Sequence, residues 1–141
     1  MQTLLVIAQK LAEISAALVL LKAQAAVIPP SYTPYVPTEQ EQMKGIIRYW
    51  SSVYSIDEKM MIFLAEIESN LNPRAKNPNS TATGLFQFLK GTWDAHCEGE
   101  RTNPNDNAKC AMELYKEHKL APWCADIYTK QKLKTQGYNC S

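Results

Sequence analysis

The sequence predicts a mainly α-helical chain: a long N-terminal helix, a proline-rich spacer and a helical domain. Three observations carry this. Residues 4–28 hold an unbroken apolar heptad, residues 29–37 hold four of the eight prolines, and beyond residue 38 apolar residues recur at helical spacing behind capping sequences. The expected segments are therefore 1–28, an oligomerising helix; 29–37, a linker; and 38–141, the domain. The 141 residues suit one domain of ordinary size plus an appendage. Apolar residues make up 45%, enough for a core. The net charge of +1 gives no electrostatic case for binding nucleic acid.

In the first segment Leu4, Ile7, Leu11, Ile14, Leu18, Leu21, Ala25 and Ile28 alternate three and four apart. Leu at the first seam position with Ile at several of the second favours three or more strands. Leu5, Val6, Val19, Leu20 and Val27 lie off this seam, and a helix apolar on most sides is buried in something larger or touches lipid. A membrane span is interrupted by Lys10, Glu13 and Lys22. A signal peptide would use Ala23-Gln24-Ala25 as its cleavage site, but no Lys or Arg precedes residue 10. An oligomerising helix fits best of the three. The stretch PPSYTPYVP ends it by Ile28 and runs on as an extended spacer.

Two capping boxes open the domain, Thr38 with Glu41 and Ser55 with Glu58. Behind them lie two apolar stripes. The first is Met43, Ile46, Ile47, Trp50, Val53 and Tyr54; the second is Ile56, Met60, Phe63, Leu64 and Ile67. Both read as core. Glu68 falls between Met61 and Leu64 on the wheel, at the edge of the apolar stripe, whereas Glu66 lies about 160° away. Partial burial raises a carboxyl pKa, which is what a glycosidic acid needs near neutral pH. Glu66 reads as an ordinary surface or structural contact.

The loop Asn70–Thr83 is rich in Asn, Ser and Thr and can line a groove with amides and hydroxyls. Gly84 supplies a turn without a side chain. Asp94, Glu98 and Glu100 are the further candidates for a second carboxylate. Asn103 or Asn105 can cap a helix carrying Ala108, Ala111, Met112 and Tyr115, which Ala121-Pro122-Trp123 ends. A basic, exposed helix follows from about Asp126 to Leu133. Cys97, Cys110, Cys124 and Cys140 permit two disulfides in any of three connectivities, or remain reduced and buried. Their spacing, with His96 and His118 far apart in sequence, does not read as a zinc site.

Glu68-Ser69, Asn72-Pro73, Ala75, Gly84-Leu85-Phe86-Gln87 and Thr92-Trp93 together resemble the signature of the soluble lytic transglycosylase family, over roughly residues 40–125. Phe86 stands where the family usually has Met. Asn107-Ala108 resembles a third motif; of the fourth, Ala-Tyr-Asn, the chain offers only Gly137-Tyr138-Asn139. The resemblance implies a lysozyme-like fold and cleavage of peptidoglycan glycan strands. It implies Glu68 as the catalytic acid and base, with Ser69, Gln87 and Asn107 binding substrate, and neither metal nor organic cofactor. A heptad helix on a wall-cutting domain suits a phage tail tip working as a homo-oligomer with other tail proteins. An exported muramidase of a secretion or conjugation system is the alternative setting. A structural injection protein with an inactive, glycan-binding domain is the alternative of another class.

Overall fold

The computed structural model describes residues 2–25 and 33–140. The chain divides into two compact units, Met1–Val36 and Pro37–Ser141. The first contains helix α1, Gln2–Ala25, whose only ion pair among the described residues is Lys10 with Glu13 at 3.0 Å. Its large apolar side chains are exposed on every side; on-seam Leu11 is 62% exposed and off-seam Leu5 75%. Residues 26–28 of the expected helix and 29–32 of the expected spacer lie outside the described residues. Residues 33–38 carry no regular structure.

The second unit holds five helices: α2 (Glu39–Tyr54), α3 (Glu58–Ser69), α4 (Lys90–His96), α5 (Pro104–His118) and α6 (Ile127–Thr135). The described residues are mainly helical, consistent with the lysozyme-like class, and the loop between α3 and α4 carries only the isolated bridges Lys76–Thr83 and Thr83–Phe88. Helix α2 packs against α3 and α5, and α6 packs against α3. Ile47, Met61, Leu64, Leu85, Phe86, Met112 and Leu133 are fully buried at the centre. Trp50 donates to Asn105 at 3.3 Å and Tyr54 to Glu113 at 2.8 Å, which ties α2 to α5.

Thr38 forms the expected capping box with Glu41. The second box does not form. Ser55 adopts a left-handed conformation (φ 54°) and closes α2, and Asp57 caps α3 by accepting from the Lys59 N–H at 2.9 Å. Two helices this close share a tight turn, so the serine is needed as a stop and the next acceptor along becomes the start. Val53 also departs from expectation: it is 55% exposed, and buried Ser51 takes the core face instead. Asn103 caps α5. Asp126 caps α6, whose outer face is basic but whose Thr129 and Leu133 are buried. The four cysteines form Cys97–Cys110 and Cys124–Cys140. Loops of this length stabilise a fold by roughly 3 kcal/mol each on the chain-entropy account.

The two turn residues respond oppositely to substitution. Asp57→Ala loses an N-cap and costs about 0.5–2 kcal/mol. Ser55→Gly relieves a left-handed position and gains up to about 1 kcal/mol. Chemical denaturation of both variants checks this; destabilisation by Ser55→Gly would restore the serine to its capping-box role.

Candidate active site

Helix α3 stops at Ser69 because Asn70 turns left-handed (φ 52°) and returns its N–H to the carbonyls of Ala65 and Glu66. Leu71 is left-handed as well (φ 61°). Such a conformation is unfavourable for a bulky residue; here it carries the Leu71 side chain into the core. The sharp reversal leaves Glu68, in the last helical turn, on the wall of a groove of about 410 Å³. The loop contributes Asn77 and Ala82 to that groove, the turn after it Gln87, and the segment around the start of α6 contributes Trp123, Asp126, Tyr128 and Thr129.

The turn Gly84–Gln87 is built from inside. Gly84 has φ +89°, and a Cβ there would lie 2.2 Å from the Arg101 carbonyl oxygen and 2.3 Å from Asn107 Nδ2. Only glycine meets both conditions. Asn107 is fully buried; its Oδ1 accepts the Phe86 N–H at 2.9 Å and its Nδ2 donates to the Arg101 carbonyl at 2.7 Å. Trp123 donates its indole N–H to the Phe86 carbonyl at 3.1 Å. Ser69 Oγ donates to the Leu85 carbonyl at 2.8 Å and shares the Ala65 carbonyl at 3.1 Å. Gln87 is left-handed (φ 50°), and its Nε2 donates to Gly84 and Ala75 carbonyls at 2.9 and 3.2 Å.

Glu68 and Gln87 thus come together in one groove. Ser69 and Asn107, expected to bind substrate, do not line it. Their polar atoms are committed to backbone partners, so they hold the wall of the groove in place. Phe86 is completely buried, as expected of a packing residue. Trp93 packs against Phe88 and is buried too. Tyr138 lies outside the groove and packs against Phe63.

The Glu68 carboxyl is pushed up to about 7, chiefly by burial; the Thr129 hydroxyl pulls it down and the Asp126 charge pushes it up. Thr129 Oγ1 donates to Glu68 Oε1 at 2.8 Å. The Asp126 carboxylate in turn accepts the Thr129 N–H at 2.8 Å. Glu66 faces elsewhere and pairs with Lys44 at 2.8 Å. Asp94 pairs with Lys90, and neither it nor Glu98 or Glu100 lines the groove. Asp126 is the second carboxylate there, and the sequence reading passed over it. So it did Trp123 and Thr129. The spacing Asp126-x-x-Thr129 signals a helix start, but nothing in it points to a partner 61 residues away.

A raised carboxyl pKa makes a testable contribution to stability. Between the unfolded value of 4.5 and about 7 the native state holds a proton that the unfolded chain has lost. Stability from this group therefore falls as pH rises through that window. Glu68→Gln removes the ionisable group, so the variant gains melting temperature over the wild type at pH 8 and matches it at pH 4. An equal difference at both pH values would remove burial of the charge as the cause.

No curated protein and no solved structure matches the chain. A family model, the transglycosylase SLT domain, matches residues 45–125, more than half of the 141. The match begins within α2, spans Glu68, Gln87 and Asn107, and ends one residue before Asp126. Such domains serve a peptidoglycan-cleaving function of the lytic transglycosylase type. With more than half of its length matched, the chain belongs to the transglycosylase SLT family.

Proposed function

We propose that this protein cleaves the β-1,4 bond between N-acetylmuramic acid and N-acetylglucosamine, with Glu68 as both acid and base. The observation that carries the reading is the Glu68 carboxyl, placed in the wall of a groove with Asn77, Gln87, Asp126 and Thr129 and pushed up to about 7 chiefly by burial. It gives its proton to the glycosidic oxygen as the bond to the muramic C1 breaks. The resulting carboxylate then takes the proton of the muramic 6-hydroxyl, whose oxygen closes on C1. The products are a free 4-hydroxyl and a 1,6-anhydro end, with no water consumed. The muramic acetamido group assists at C1, as the family resemblance implies.

Hydrolysis would need a second carboxylate about 5–9.5 Å away, free to act as nucleophile or base. Asp126, the other carboxylate of the groove, is engaged by the first turn of α6, which favours the route in which substrate supplies the nucleophile. Purified peptidoglycan digested by wild type and Glu68→Gln, with products weighed by mass spectrometry, tests this. Anhydro muropeptides, one water lighter than hydrolysed ones and absent with the variant, are expected. Products with the full water would turn attention to Asp126. Activity retained by Glu68→Gln would remove the acid from the mechanism. Silence from both proteins would favour the glycan-binding alternative.

Of the two settings considered, the exported muramidase is the better supported. Both pairs of cysteines are bonded, and disulfides persist in oxidising compartments outside the cytosol. Helix α1 adds a second support. Gln2–Ala23 is long and apolar enough to cross a membrane by length and composition. A seam between copies would cover Leu4, Leu11 and Leu18 but leave Leu5, Val19 and Leu20 wet, whereas a bilayer covers all of them. Its length of about 36 Å exceeds the roughly 30 Å of a hydrocarbon core, and Lys10 and Glu13 neutralise each other by pairing. Membrane fractionation and intact mass of the expressed chain test the setting. Recovery in membranes, or loss of residues 1–25 on export, is expected. An intact, soluble oligomer of three or more copies would instead support the tail-tip bundle.

A further inference from the structure

The matched family region ends at residue 125, yet the hydrogen bond that Glu68 accepts comes from beyond it. Among the described residues, Thr129 makes the only hydrogen bond to that carboxyl. Thr129 is only 3% exposed, the sole buried polar side chain on α6. Its backbone is fixed as well, since Asp126 caps the helix through the Thr129 N–H. Helix α6 is nine residues long and buries just Thr129 and Leu133. A helix so short is not stable by itself. It is bracketed by the Cys124–Cys140 disulfide, and Tyr138, behind it, packs on Phe63 of α3.

We propose that Thr129 is a positioning residue for the acid: its hydroxyl pins Glu68 Oε1 and leaves Oε2 to carry the proton that is transferred. This rests on the reading of Glu68 as the acid. An unpinned carboxyl on a helix end samples several rotamers, and each misaligned one removes the proton from reach of the glycosidic oxygen. Oε1 can accept from Thr129 whether the acid is protonated or ionised, so the pin survives both halves of the reaction. The bond is stronger to the ionised form and so favours it. Among the described residues, other titratable or polar groups line the groove or neighbour Glu68 on its helix. Asp126 and Tyr128 come from the start of α6; the loop and turn supply the uncharged Asn77 and Gln87; and on α3 itself Glu66 is held by Lys44.

The test compares full-length wild type, Thr129→Val, Thr129→Ser and Glu68→Gln, each first shown by thermal melting to be folded. Initial rates of peptidoglycan digestion are measured from pH 5 to 9, and the glutamate carboxyls, labelled with carbon-13, are titrated by NMR. Thr129→Val is expected to lose roughly ten- to hundredfold in rate. Its Glu68 titration and the alkaline limb of its rate profile should move to higher pH. Thr129→Ser should recover most of the rate and the wild-type titration. A wild-type rate and profile in Thr129→Val overturns the inference while leaving Glu68 as the acid, provided that Glu68→Gln is inactive. A rate loss with no movement of the Glu68 titration overturns it too, because the threonine would then serve only packing. Wild-type activity in Glu68→Gln would sink the acid and its pin together.

Discussion

Everything around the groove depends on one buried side-chain amide. Asn107, itself fully buried, satisfies the buried Phe86 N–H and the part-buried Arg101 carbonyl. Either group left unpaired there would cost on the order of 1–3 kcal/mol. The amide thus fixes the turn that follows Gly84, and from that turn the rest of the wall is hung. Ser69 reaches the Leu85 carbonyl and so joins the end of α3 to it. Trp123 reaches the Phe86 carbonyl and brings in the segment that leads to α6. No buried side-chain nitrogen or oxygen among the described residues lacks a partner. A network satisfied this completely is rigid, because any displacement breaks several bonds at once.

Rigidity explains why the left-handed residues persist. Asn70 and Leu71, just after the helix that carries Glu68, and Gln87, in the groove wall, adopt a backbone region that side chains rarely take. Each has a compensation close by. Asn70 closes a helix, Leu71 is buried, and Gln87 spends its amide nitrogen on two carbonyls. The reversal between α3 and the loop is what lets a helical glutamate lie at a concave surface and not on a convex one.

Local signals in the sequence were read well where the physics is local. Thr38 caps a helix as its spacing implies, Asn103 does so of the two candidates for α5, and the wheel separated Glu68 from Glu66 correctly, since Glu66 pairs with Lys44. Ser55 misled because a serine before an acidic residue reads as a cap, while the left-handed turn it makes leaves no mark in composition. Residues 107, 123 and 129 were harder for another reason. Their roles are defined by partners 21, 37 and 61 positions away. Asn107 was noticed through a motif but assigned to the groove, because a motif records that an amide is required and not which way it points. Thr129 sits on a helix whose lysines announce an exposed face and hide the buried one.

The surroundings of Glu68 are gathered from four stretches of chain: its own helix, the loop with Asn77 and Ala82, the turn near residue 87, and the segment 122–129. A polypeptide is made from its N-terminus, so the glutamate emerges long before its last neighbours. Until Asp126 and Thr129 follow, the groove that buries Glu68 lacks one of its walls, and burial is the chief cause of its raised pKa. The proton-holding state is therefore a property of the finished domain, acquired near the end of synthesis and folding together.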